Sequence, residues 1–340
     1  MKIVVFGPNK RTGVLQNDDI IDIAGAYAKY LREKEDNANA YVFADAVAPS
    51  DLGRFIDGGQ RALDNTEVAL EHLTNIGGEG IHGEPLVFKS DNVKLHAPRA
   101  AGARVACAGG NFAEHAEAMA QRRVERGEAS PFTEGSAREY VRNRGFWGFW
   151  KVDRESGGHD SDVIYPARCS RLDYEGEVAV VFGKQGKNIK ADQMNDYIWG
   201  VTLISDWSIR MSPEGGPMKF AMQKNFDTSC TIGPCIAVGE VDALEVDIET
   251  LVNGEVRQQY NSGDMAFTYG EYMEYLSRDF TFYPGDILSG GTGAGTAADS
   301  SATMEDGMPS PARFLKPGDV VEVSSHSIGT LRNRIIEPDS

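Results

Sequence analysis

Glu175 and Glu177 stand two positions apart in Asp173-Tyr174-Glu175-Gly176-Glu177-Val178-Ala179-Val180-Val181, where an acidic start runs straight into an apolar strand. A strand alternates its side chains with period two, so both carboxylates project from one face. Side by side they repel unless positive charge lies between them. An oxygen-preferring divalent cation supplies that charge; a solvated acidic strand edge is the plainer alternative. Asp206 closes a second apolar run, Ile198 to Ser205, where it can serve as a third oxygen ligand or as the N-cap of a following helix. Three carboxylates offset a divalent cation and leave positions for substrate oxygens. Hard oxygen donors favour Mg²⁺ or Mn²⁺ (or Ca²⁺) over zinc.

Gly290-Gly291-Thr292-Gly293-Ala294-Gly295 invites a nucleotide reading. The Gly-Lys-Ser/Thr of a Walker loop is missing, and a dinucleotide fingerprint belongs near the first βαβ unit. The segment reads instead as a tight loop whose backbone N–H groups, Gly291 among them, and Thr292 hydroxyl meet a substrate carboxylate or enolate. Phe146, Trp147, Phe149 and Trp150 form either a hydrophobic lid or a local mini-core. Cys107, Cys169, Cys230 and Cys235 are scattered without a CxxC pair, which points to buried reduced thiols rather than disulfides or zinc.

The elements that must hold these residues fall into two parts. Residues 1–98 read as a small N-terminal α/β domain: an opening strand within Met1–Gly7, a strand leading into a helix over 20–31, and helical spacing over 43–76 with Phe55, Ala62, Leu63, Ala69, Leu70 and Leu73 on the apolar face. Residues 99–340 read as the catalytic domain. It starts with a short strand at 104–110 and a helix over 112–126, and makes a lid-like excursion over about 112–160. From 164 onward short apolar runs alternate with Gly, Pro and Asp turns, and Asn253-Gly254 marks a type I′ hairpin. A formal charge of −17 disfavours a nucleic-acid partner, which needs a basic footprint. No run approaches the roughly 18 apolar residues of a membrane helix, and the N-terminus reads as a strand rather than a signal peptide. A cytoplasmic location is expected.

The second part resembles the fumarylacetoacetate hydrolase family. The matching phrases run in order: Gly110–Ala116, Leu172–Val181, Ser205–Arg210, Lys224–Thr228, Gly233-Pro234, Val252–Gln258, Pro284–Asp286, Gly291–Gly295, Phe314–Asp319 and Ile328–Asn333. The resemblance implies an α+β fold with a mixed β-roll, barrel-like catalytic domain, a homodimer, and Mg²⁺ or a related cation held by Glu175, Glu177 and Asp206. It implies a small 2-oxo or 2,4-dioxo acid as substrate. His115 matches the family's lid-helix base, and Lys224 a lysine on the substrate carboxylate or enolate oxygen. Arg210 matches a position that holds a substrate carboxylate or braces Asp206, and Lys151 a position near the substrate. Two departures stand out. Ala118 occupies the place, three residues after His115, where hydrolytic and decarboxylating members often carry Glu, leaving Glu114 or a later acid as candidate partner. Pro213 replaces the usual Gln after Arg210, so the loop 211–223 is remodelled.

The expected chemistry is hydrolytic C–C cleavage of an acylpyruvate or fumarylacetoacetate-type acid through an enolate. The alternatives are hydration or dehydration of a 3-deoxy-2-oxo sugar acid, isomerisation or decarboxylation of a 2-oxo diacid, or a non-catalytic module that binds metal or sugar acid.

Overall fold

The computed structural model describes residues 1–338 apart from 126, 131–134, 215–218, 240 and 306, with backbone alone at 75–76. The chain opens with β1 (Lys2–Phe6), β2 (Arg11–Gln16) and β3 (Asp19–Asp22). Asp22 ends β3 and accepts from the Gly25 N–H, so α1 (Ile23–Lys34) begins there; the first N–H groups of a helix lack partners within it. α2 (Ala40–Val47), α3 (Leu52–Asp57) and α4 (Gly59–Ile76) follow. Phe55, Ala62, Leu63, Ala69 and Leu73 are buried and Leu70 partly so, as the spacing over 43–76 predicts. β4 (Val87–Lys89) and β5 (Leu95–His96) close this part.

Next come β6 (Val105–Ala108), α5 (Ala113–Glu125), α6 (Ala137–Arg144), β7 (Gly148–Lys151), β8 (Asp162–Ile164) and β9 (Arg171–Asp173). The strands of the site are β10 (Gly176–Phe182), β11 (Ile198–Asp206) and β12 (Ser208–Met211). After α7 (Phe220–Gln223) come β13 (Cys230–Ala237), β14 (Asp247–Val252) and β15 (Glu255–Asn261). The chain finishes with α8 (Tyr269–Leu276), β16 (Ile287–Ser289), α9 (Ala297–Ser300), β17 (Val320–Ser325) and β18 (Gly329–Ile336). Asn253 and Gly254 both have positive φ, at 53° and 79°, the type I′ geometry that the β14–β15 hairpin requires.

Among the described residues, eleven strands form one open sheet in the order β4-β3-β2-β1-β13-β11-β10-β16-β6-β7, with β5 on β1. A second sheet runs β15-β14-β17-β18-β8, and β9 pairs with β12. The mixed architecture of helices and large sheets is the one expected, with no closed barrel among the described residues. β10 is buried along its whole length because both faces are covered. Ala179 and Val181 join a core that includes the N-terminal helices, while Val178 and Val180 join one that reaches Ile248, Val323 and Leu331 of the second sheet. A strand covered on both faces reads as a continuous apolar run rather than an alternating one.

Sheet and core also run across residue 98. β1 pairs with β13, Ile3 opposite Ile236, and the Met1 amine donates to Val238 O at 2.8 Å. The excursion over 112–160, which includes residues outside those described, contains an edge strand: β7 pairs with β6, Cys107 opposite Phe149. Its aromatic residues divide between two environments. Phe149 packs on Phe220 and Trp150 on Phe280, while Phe146 stacks on Tyr275. The four cysteines are free and buried, and burial pushes the Cys169 thiol up to about 11 and those of Cys230 and Cys235 up to about 12. No described helix is long and apolar enough to cross a membrane.

Asn111, fully buried between β6 and α5, anchors the helix that carries His115. Its amide donates to Phe267 O at 2.9 Å and Gly290 O at 3.0 Å, and its carbonyl accepts from Phe267 N at 2.9 Å. Asn111→Leu strands these buried backbone groups and should lower stability by about 3 kcal/mol or more, measured by denaturant unfolding.

Candidate active site

β10 and β11 lie side by side, with Glu177 opposite Ile204 and Gly176 opposite Ser205. Glu175 leads into the first strand and Asp206 ends the second, so the pairing brings both to one end of the sheet. Glu175, Glu177 and Asp206 offer oxygens that all lie within 4.8 Å of one another, and all three residues are buried. The glycine between the two Glu has a steric reason. A Cβ on Gly176 would stand 2.1 Å from Thr250 Oγ1 and 3.1 Å from both Val323 methyls.

Cations ring the cluster. The Lys224 ammonium donates to Glu175 and, at 2.6 Å, to Asp206 Oδ2. Lys151 donates to Asp206 Oδ1 at 2.5 Å and to Lys224 O at 2.7 Å. Arg210 donates through Nε to Asp173 Oδ2 at 2.9 Å and through Nη2 to Glu175. Burial disfavours the Glu175 charge, but Arg210 and then Lys224 outweigh it and hold the carboxyl well below the usual range. Burial also works against the Lys224 charge, and Asp206 and Glu175 overcome it, holding the ammonium above the usual lysine range. Glu177 goes the other way: burial, then Asp206 and Glu175, raise it well above the carboxylate range, and it receives a hydrogen bond from Ser289 Oγ.

This imbalance bears on a metal. Asp173, Glu175, Glu177 and Asp206 are four buried carboxylates against Lys151, Arg210 and Lys224, and burial with this shortfall of positive charge raises Glu177 well above the carboxylate range and Asp173 as well. Converging carboxylate oxygens with unbalanced negative charge suit an oxygen-preferring divalent cation. The donor set therefore fits such an ion.

The other half of the site comes from α5 and α9. His115 Nδ1 lies 2.7 Å from Asp299 Oδ2. Asp299 is held in turn by the Gly295 N–H at 3.0 Å, and its own N–H donates to the Thr296 hydroxyl. Asp299 is thus the later acid left open in the sequence; Glu114 and Glu117 are exposed. No local motif marks Asp299, since α5 and α9 are remote in sequence and meet only in the fold. With Nδ1 committed to Asp299, Nε2 is the nitrogen left to exchange a proton with a substrate.

One cleft of about 700 Å³ is lined by His115, Glu175, Glu177, Arg210, Lys224 and Thr292 together with Arg122, Arg144, Trp147, Phe149 and Phe220. Asp206, Lys151 and Gly291 do not line it. Lys151, expected near the substrate, has its ammonium buried behind Asp206. The Gly291 N–H donates to Ser289 Oγ at 3.3 Å, and the Thr292 hydroxyl donates to Gly176 O at 3.0 Å while accepting from Gln258 at 2.7 Å. The glycine-rich loop thus spends these donors on β10 and its own start rather than on the cleft. Arg210 braces Glu175 and Asp173 rather than Asp206. Of the loop 211–223, residues 215–218 lie outside those described. Its later part, α7, brings Phe220 to the cleft within 4.8 Å of the Trp147 ring centre.

The match to known proteins agrees with this architecture. Residues 104–336 match the family model for the fumarylacetoacetate (FAA) hydrolase C-terminal domain. The chain belongs to the fumarylacetoacetate hydrolase family. It is 32% identical to oxaloacetate tautomerase YisK of Bacillus subtilis over 73% of this chain and 75% of that one. It is 29% identical to the mitochondrial oxaloacetate tautomerase Fahd2a of Rattus norvegicus, covering 86% of this chain and 82% of the relative. A 40% match to an uncharacterised protein of Methanocaldococcus jannaschii spans 51% of this chain and 65% of that protein, less than two thirds of its length. Among solved structures, maleylpyruvate hydrolase from Sphingobium sp. SYK-6 superposes with a TM-score of 0.68 at 20% identity over 99% of this chain and 100% of that one, a likeness of fold. Two relatives carry the name of oxaloacetate tautomerases, and fold neighbours carry those of an isomerase and a hydrolase.

Two substitutions probe the cluster. Gly176→Ala should cost about 1–3 kcal/mol through overpacking and weaken Mn²⁺ binding by spreading Glu175 and Glu177, read by thermal unfolding and by electron paramagnetic resonance titration. Lys151→Met removes a fully buried partner of Asp206 and should destabilise the metal-free protein by about 3–5 kcal/mol. Added Mg²⁺ or Mn²⁺ should recover part of that loss, because the cation replaces the missing positive charge.

Proposed function

We propose that the protein is a divalent-metal-dependent enzyme that moves a proton at C3 of a 2-oxo diacid, interconverting keto and enol forms of an oxaloacetate-type substrate. The observation that carries the reading is that His115, held by Asp299, lines one cleft together with Glu175 and Glu177 of the three-carboxylate cluster. A cation at Glu175, Glu177 and Asp206, with Mg²⁺ or Mn²⁺ the best fit to the oxygens, supplies Lewis-acid charge to the substrate's carboxylate and 2-oxo group when bound. Asp299 keeps the His115 proton on Nδ1 and leaves Nε2 as the base. Taking the C3 proton places the negative charge on the C2 oxygen, and returning the proton to that oxygen gives the enol. The reverse sequence restores the ketone, and neither direction consumes water. Lys224, beside Glu175 and Asp206, keeps positive charge near that oxygen. Arg122 and Arg144 bring guanidinium groups to the cleft wall for the second carboxylate. The similarity to two oxaloacetate tautomerases supports proton transfer ahead of the hydrolysis expected from sequence.

Hydrolytic C–C cleavage of an acylpyruvate is the second reading. A cleft of about 700 Å³ exceeds the needs of a four-carbon acid and leaves room for a longer 2,4-dioxo acid and a water for His115 to activate.

The decay of enol oxaloacetate, followed by ultraviolet absorbance, should accelerate with the protein and Mg²⁺ or Mn²⁺ and revert with a chelator. His115→Asn should slow it about 10²–10⁴-fold, the usual contribution of a general base. Pyruvate release from acylpyruvates without tautomerase activity would move the assignment to the second reading; metal-dependent turnover of neither would sink both.

A further inference from the structure

Asp173 is fully buried, does not line the cleft, and carries neither of the chemical roles above. Even so, its two oxygens reach both halves of the site. Oδ1 accepts from the Ala297 N–H at 2.7 Å and the Tyr174 N–H at 3.0 Å. Oδ2 accepts from the Ala298 N–H at 3.1 Å and Arg210 Nε at 2.9 Å. Four N–H donors converge on it, the arrangement a carboxylate satisfies and a neutral amide does not.

Each bond leads to a working part. Ala297 and Ala298 open α9, and Asp299, the next residue, holds His115. Arg210 carries the second link, because the same guanidinium donates to Glu175. Tyr174 joins Asp173 to Glu175 along the chain, and Ser208 pairs with Asp173 across the β9–β12 ladder. α9 has only four residues, too short to hold its own position by helix hydrogen bonding. Its placement depends on what receives its first N–H groups, and Asp173 receives two of them.

We infer that Asp173 is a positioning residue that sets the His115–Asp299 pair and the carboxylate cluster in register with one another. One carboxylate is the common reference point. Rotation that relaxes its bond to Arg210 lengthens its bonds to α9, so the base and the cation ligands cannot drift independently. The catalytic part of this inference rests on the proposed proton transfer; the metal-binding part does not.

The test is a set of double-mutant cycles on Asp173→Asn, which keeps the volume but turns a donor toward donors. Three quantities are read: Mn²⁺ affinity by electron paramagnetic resonance, the His115 imidazole ¹⁵N shifts, and kcat. Asp173→Asn should weaken Mn²⁺ binding about tenfold or more, move the His115 shifts, and lower kcat about 10²-fold. Combined with Arg210→Gln in Mn²⁺ affinity, and with Asp299→Asn in kcat, its effect should fall well short of the product of the single losses. A residue that only stabilises the fold gives losses that multiply. Multiplying losses, or unchanged Mn²⁺ affinity and His115 shifts in folded Asp173→Asn, would overturn the inference. If that variant does not fold, Ala297→Pro removes one N–H at a helix position where proline is accepted. It should move the His115 shifts and weaken Mn²⁺ affinity together, and a change in one without the other, or in neither, would overturn the inference. Should the wild type turn over no 2-oxo acid, the proposed function falls, while the Mn²⁺ and imidazole measurements still decide the role of Asp173.

Discussion

Negative charge gathered in a dry place is the constraint around which this protein is arranged. Asp173, Glu175, Glu177 and Asp206 sit where water does not screen them, and unit charges a few ångströms apart interact far more strongly there than in solvent. Such a cluster persists only if the fold supplies positive charge and hydrogen-bond donors at fixed positions. Lys151, Lys224 and Arg210 answer three of the carboxylates, and Ser289 touches the fourth. The remaining imbalance is what suits the cluster to a cation and sets it apart from a closed salt-bridge network.

Much of the surrounding structure follows from that requirement. Gly176 is a glycine because the second sheet packs against the strand between the two ligands. β7 carries Lys151 on the same face as Phe149, so one edge strand delivers both a buried ammonium and an aromatic wall of the cleft. The Lys224 ammonium lies 4.8 Å from the Phe149 ring centre, a cation–π contact that adds to its carboxylate partners. The glycine-rich loop contributes through Gln258 and Gly176, bracing the strand rather than facing the ligand.

The His115–Asp299 pair is built on different elements, α5 and α9, and α9 meets the carboxylate cluster directly through Asp173, which accepts from the Ala297 and Ala298 N–H groups. Because the two halves come from segments remote in sequence, the distance between them is a property of the tertiary fold, which is where Asp173 acts.

Local sequence determined a good deal. The period-two spacing of Glu175 and Glu177, the apolar run ending in Asp206, the Asn253-Gly254 hairpin and the helical face over 43–76 are all set by backbone geometry within a few residues, so they are legible without the fold. The order of motifs carried the family. What only the tertiary structure decided are the relations between distant segments. Asp299 becomes the partner of His115 because α5 and α9 pack together, although 184 positions separate the two residues. Lys151 turns inward to Asp206 because β7 joins the sheet edge, and the N-terminal strand joins the catalytic sheet because β1 finds β13. Local patterns fix which way a side chain projects, but the buried charge it meets is chosen by long-range packing.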